Sequence, residues 1–127
     1  MERLLGDISV RVFVRDLEQA QRFYEERLGM TVKFKQPGAS VTTYDAGSAV
    51  LVVEEVEETD EEGLSYVGRF TGITFGTGSC QGAYAELAAR GVEFVEAPEK
   101  QYWGGVMAHF CDPSGNVFTI LESPGAS

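Results

Sequence analysis

One histidine and two cysteines in 127 residues bound the chemistry available to this chain. A site built from two or three imidazoles is impossible within one subunit, because His109 stands alone. Cys80 and Cys111 show no CxxC spacing and no flanking cation, so packing is expected of both thiols. No nucleophile motif, phosphate loop or dinucleotide fingerprint appears. Gly76-Thr77-Gly78 is too short to be one.

What the sequence does offer is a set of side chains suited to holding a small molecule. Arg11 shares a strand face with Ser9 and Phe13 by alternation. An inward Arg needs an anion, which is either Glu54 across the sheet or an acidic group on a ligand. His109 and Met107 share a face if Ala108 and Phe110 point to the helix side. Histidine is the residue type that titrates near neutral pH, so His109 is either a structural hydrogen bonder or a ligand contact. Tyr102 and Trp103 lie at the start of the penultimate strand. They either stack on a flat or cationic ligand or pack on the sheet edge. The candidate ligand contacts are thus Arg11, Phe13, Glu54, Tyr102, Trp103, Met107 and His109.

Composition narrows the partners. The formal charge is -10, which opposes binding to nucleic-acid backbones and to anionic membranes. No apolar run approaches a membrane span, and the opening residues are too short and too charged for a signal peptide. A cytoplasmic protein with reduced thiols is expected.

These side chains must be positioned by a repeated pattern. Ile8–Val14 alternates as a strand. Asp16 caps a helix with Gln19 completing a capping box, and Ala20, Phe23, Tyr24 and Leu28 form its buried stripe up to Gly29. Strands are expected at Thr31–Lys35, Val41–Asp45 and Ala49–Glu55. An acidic, turn-rich segment follows. The order then repeats. A weak strand at Gly72–Gly76 precedes a helix capped by Ser79, with a stripe of Ala83, Leu87 and Ala88 and a stop at Gly91. Strands follow at Val92–Glu96, Gly105–Cys111 and Val117–Glu122, with a turn at Asp112–Asn116. Leu28-Gly29-Met30 matches Arg90-Gly91-Val92 at an offset of about 62 residues. The class is α+β: two βαβββ modules whose curved mixed sheets surround a cavity. The first module spans about 7–56, an acidic linker about 57–69, and the second module about 70–123.

Two signatures carry a resemblance. Val14-Arg15-Asp16-Leu17 with Arg22-Phe23-Tyr24 and Leu28-Gly29-Met30 opens the chain. Trp103-Gly104-Gly105 with Phe110-Cys111-Asp112-Pro113-Ser114-Gly115-Asn116 closes it. In this order, with the half repeat between them, they resemble the glyoxalase/bleomycin resistance/dioxygenase (vicinal oxygen chelate) superfamily, as one domain over residues 1–127. Metal-dependent members place His, Gln or Glu on the first and last strands of each half. The matching positions here hold Ser9, Val52, Gly72 and Thr119, none of them a plausible transition-metal ligand. A two-residue slip would substitute Glu54 for Val52. The resemblance therefore implies no metal and no cofactor. It implies a homodimeric protein that binds a small organic ligand, as the bleomycin-binding members do. The alternative is an enzyme of the same fold, a lyase, isomerase or dioxygenase relative working through Arg11, His109 and Glu54.

Overall fold

The computed structural model describes residues 3–125. The chain divides into two compact units, residues 1–67 and 68–127.

The first unit contains β1 (Ser9–Val14), α1 (Leu17–Arg22), β2 (Thr31–Lys35), β3 (Val41–Ala46), β4 (Ala49–Glu55) and a short helix, α2 (Glu61–Leu64). Its sheet has the order β1-β4-β3-β2, with β1 and β4 parallel and the other pairs antiparallel. Asp16 accepts the Gln19 N–H, as its cap position predicts. The last turn of the helix is π-helical, Phe23–Arg27. Gly29 then takes φ 72°, as Gly91 later takes φ 89°, the left-handed stop that a β-carbon disfavours. Ala20, Phe23 and Tyr24 are buried against Val12, Val14, Tyr44, Leu51 and Val53, while Leu28 is only half-buried. Tyr44 is fully buried and donates to Glu25 Oε2 at 2.8 Å. Burial, that bond and the Glu25 charge hold its phenol well above the usual range.

The second unit contains β5 (Phe70–Gly76), α3 (Cys80–Ala89), β6 (Glu93–Lys100), β7 (Val106–Cys111) and β8 (Val117–Glu122). Its sheet repeats the first, in the order β5-β8-β7-β6 with one parallel pair, β5 and β8. Ser79 caps α3 through the Gly82 N–H. Phe75, Phe94, Phe110 and Phe118 stack beneath the helix, and Tyr84 of α3 meets the edge of Phe94 at 4.7 Å. Cys80 is buried, as packing predicted.

Four local expectations needed correction. The segment 57–69 is not wholly a solvated linker: Asp60 caps α2 through the Gly63 N–H, and Val67 bridges to Phe13. Ala88 is exposed, because α3 buries the face running through Cys80 and Leu87. β5 starts two residues earlier than expected. β6 runs four residues further, through Pro98, which an edge strand with bulges tolerates. Among the described residues no helix is long and apolar enough to cross a membrane.

Candidate ligand-binding site

The face of the first sheet opposite α1 gathers three of the expected contacts. Phe34, Thr43, Val52 and Arg11 form one register row, and Val41, Glu54 and Phe13 form the next. Arg11 finds its anion within the protein. Its Nη2 donates to Glu54 Oε1 at 3.0 Å and Oε2 at 3.3 Å, and its Nε donates to Oε1 at 3.3 Å. The Arg11 side chain stays 60% exposed, so this pair orients more than it stabilises. The guanidinium lies 5.0 Å from the Phe13 ring centroid.

Tyr66 completes the cluster. Its ring is tilted on Phe13 with centroids 5.4 Å apart, and its hydroxyl donates to Glu62 Oε1 at 3.0 Å. Arg11, Phe13, Glu54, Asp60, Glu62 and Tyr66 line a pocket of about 450 Å³. The same wall includes Glu55 and Glu57, so five acidic residues and one cation line it, with the Glu55 carboxylate accepting the Leu17 N–H. Such a pocket attracts cations, and its two rings offer apolar faces.

The remaining expected contacts lie in the second unit. Ala108 and Phe110 are buried on the helix side, which leaves Met107 and His109 on the opposite face. His109 Nδ1 is 2.8 Å from Thr119 Oγ1, and its Nε2 is 3.6 Å from Glu96 Oε2. Tyr102 and Trp103 are not at the start of β7. They occupy the tight turn before it, held by Gly104 N–H to Gln101 O and Gln101 N–H to Gly105 O. Trp103 lies against Gly105, where a β-carbon would collide with the indole. Tyr102 is wholly exposed.

A family model fits residues 8–120, that of the Glyoxalase/Bleomycin resistance protein/Dioxygenase superfamily. The chain belongs to this superfamily. A superfamily member from Sphaerobacter thermophilus is 31% identical with a TM-score of 0.75, covering 94% of this chain and 98% of its own. TnmS3, an antibiotic binding protein from Streptomyces sp. CB03234, is 26% identical with a TM-score of 0.75, covering 95% and 98%. UcmS2 shares the fold at a TM-score of 0.80 and 24% identity, covering 95% and 100%.

The superfamily's metal-dependent members raise the question of whether a metal fits here. Ser9 and Gly72 are exposed, Val52 is half-buried between Arg11 and Thr43, and Thr119 is buried on His109. Glu54, the substitute for Val52, is engaged by Arg11. Among the described residues no three His, Cys, Asp or Glu groups are placed to hold an ion. These residues do not fit a transition metal.

Several contributors were not foreseen. Tyr66, Asp60 and Glu62 reach the site only because α2 folds back beside β1. Bulges in β6 place Glu93, Glu96 and Glu99 opposite Cys111, His109 and Met107, on one face despite their spacing of three. Pro98, unusual inside a strand, was the sequence signal for those bulges.

Burial and that register both disfavour the thiolate of Cys111. Its Sγ donates to Glu93 Oε2 at 3.5 Å. Burial first, then that bond and the Glu93 and Asp112 charges, push the thiol from the usual 9.0 up to about 11. Thiolate content, and with it alkylation by iodoacetamide, should rise steadily as pH climbs toward 11. At pH 8, Glu93→Gln should speed Cys111 alkylation roughly tenfold, read by mass spectrometry of the native protein. A rate that levels off near pH 9 would contradict this.

Proposed function

We propose that this chain is a metal-independent binding protein that sequesters a small organic molecule, such as a drug or metabolite, in the pocket of its first unit. The observation that carries this reading is the pocket itself, about 450 Å³ with Phe13 and Tyr66 as apolar surfaces and an excess of carboxylate around them. The poor donor set at Ser9, Val52, Gly72 and Thr119 supports independence from a metal. The likeness to TnmS3, an antibiotic binding protein, supports sequestration. The reading takes the whole chain as a single domain of two repeated modules, acting as a homodimer in the cytoplasm. Met107, His109, Tyr102 and Trp103 belong to the second unit and are not among the residues that line this pocket.

The pocket's charge favours cationic ligands. Thermal-shift screening should show a rise in Tm with cationic glycopeptides and none with small aromatic acids. Arg11→Ala should leave cation binding intact, since it removes the one positive group. Phe13→Ala should weaken it about 2–30-fold, the range of a cation–ring contact. Binding of aromatic acids alone, or of neither class, would overturn the reading. So would stoichiometric Zn, Ni, Fe or Mn in protein grown in metal-replete medium and required for binding.

A further inference from the structure

Thr74, Thr119, His109 and Glu96 form one row across β5, β8, β7 and β6. Thr119 is 1% exposed, and among the described residues its hydroxyl has one partner, His109 Nδ1 at 2.8 Å. A buried hydroxyl must place its hydrogen on an acceptor. Thr119 therefore donates, and Nδ1 carries no proton. The proton of the neutral ring then sits on Nε2.

That Nε2–H faces a carboxylate it does not fully engage. Glu96 Oε2 is 3.6 Å away, beyond hydrogen-bond length. The ring keeps 19% side-chain exposure and Glu96 keeps 66%. Beside them the exposed Phe70 ring sits 6.0 Å from the imidazole, centroid to centroid. Glu93 and Glu99 flank Glu96 on this face, with Cys111 and Met107 opposite them. A ligand carboxylate would meet three like charges here. A planar group with an acceptor for Nε2–H and a donor for Glu96 would meet none.

We infer that His109, held as the Nε2–H tautomer by Thr119, forms with Glu96 a donor–acceptor edge that binds an aromatic amide beside Phe70. The residues all belong to the second unit, so the site stands whether or not the first unit's pocket binds a cation.

Nitrogen-resolved NMR of the His109 ring at pH 9, above the range in which histidine titrates, reads the tautomer directly. Protonated Nε2 and bare Nδ1 are expected in the native chain and in Thr119→Ser, which keeps the hydroxyl. Thr119→Val should mix the tautomers. A proton on Nδ1 in the native chain, or an unchanged tautomer in a folded Thr119→Val, overturns the assignment. Benzamide should then shift the ring resonances at millimolar concentration, and benzoate should not. Glu96→Ala should weaken benzamide binding at least tenfold. Equal shifts from benzoate, or none from benzamide, overturn the binding site.

Discussion

Truncating Phe110 to alanine should cost the second unit about 3–5 kcal/mol. The ring is 1% exposed and is the hub of the aromatic cluster beneath α3. Phe118 stacks on it at 5.4 Å, Phe94 meets it at 5.7 Å and Phe75 at 6.2 Å. Removing it forfeits its own burial and leaves a void that three rings cannot all collapse into. Domains of this size are stable by only about 5–15 kcal/mol, so much of the margin goes. Urea denaturation should show the midpoint falling by roughly 2 M, given slopes of about 1–3 kcal/mol per molar. Phe110→Leu should cost far less, because most of the volume stays. A loss under about 1 kcal/mol for the alanine variant would mean the cluster is not the core described here.

The second large effect belongs to the turn between β7 and β8. Asp112 is 3% exposed, and its Oδ1 accepts the Ser114 N–H at 3.0 Å and the Asn116 N–H at 2.9 Å. Its Oδ2 accepts Asn116 Nδ2 at 2.9 Å. Asn116, 1% exposed, then accepts the Gly68 N–H through Oδ1 at 2.9 Å. The carboxylate holds the turn, and through the amide it holds the chain entering β5. Asp112→Ala takes the carboxylate acceptor away from three donors. At about 1–3 kcal/mol for each buried group, with Ser114 partly reaching water, a loss of about 3–4 kcal/mol is expected. Asp112→Asn keeps an acceptor and should lose about half of that. Hydrogen exchange offers a local readout, with the Gly68 amide losing protection in Asn116→Ala. An unchanged Gly68 rate would refute the clamp.

That turn illustrates what was legible in advance. Asp-Pro-x-Gly-Asn reads as a turn from its residues alone, because Asp, Pro, Gly and Asn each favour one through local backbone chemistry. The helix caps at Asp16 and Ser79 and the strands Thr31–Lys35 and Ala49–Glu55 were readable for the same reason. Alternation along β1 placed Arg11 beside Phe13, and alternation along β7 placed His109 opposite Phe110. What did not follow was anything that depends on pairing at a distance. The length of β6 and its bulges are set against β7, so the carboxylates of Glu93, Glu96 and Glu99 could not be seen to share a face. Tyr66 could not be placed on Phe13, because 53 residues separate them and nothing local in the acidic segment predicts its fold-back.

The sequence by itself determined the superfamily's two repeated modules and, through a single histidine and the residues Ser9, Val52, Gly72 and Thr119, a poor donor set for a metal. Composition, caps and alternation are short-range properties, and they survive whatever the chain does later. Only the tertiary structure decided which charge pairs with which. It set Arg11 on Glu54, Tyr66 and Glu62 beside Phe13, and His109 between Thr119 and Glu96. Hydrogen bonds and ring contacts act over a few ångströms, so these partners exist only once the strands have fixed their register.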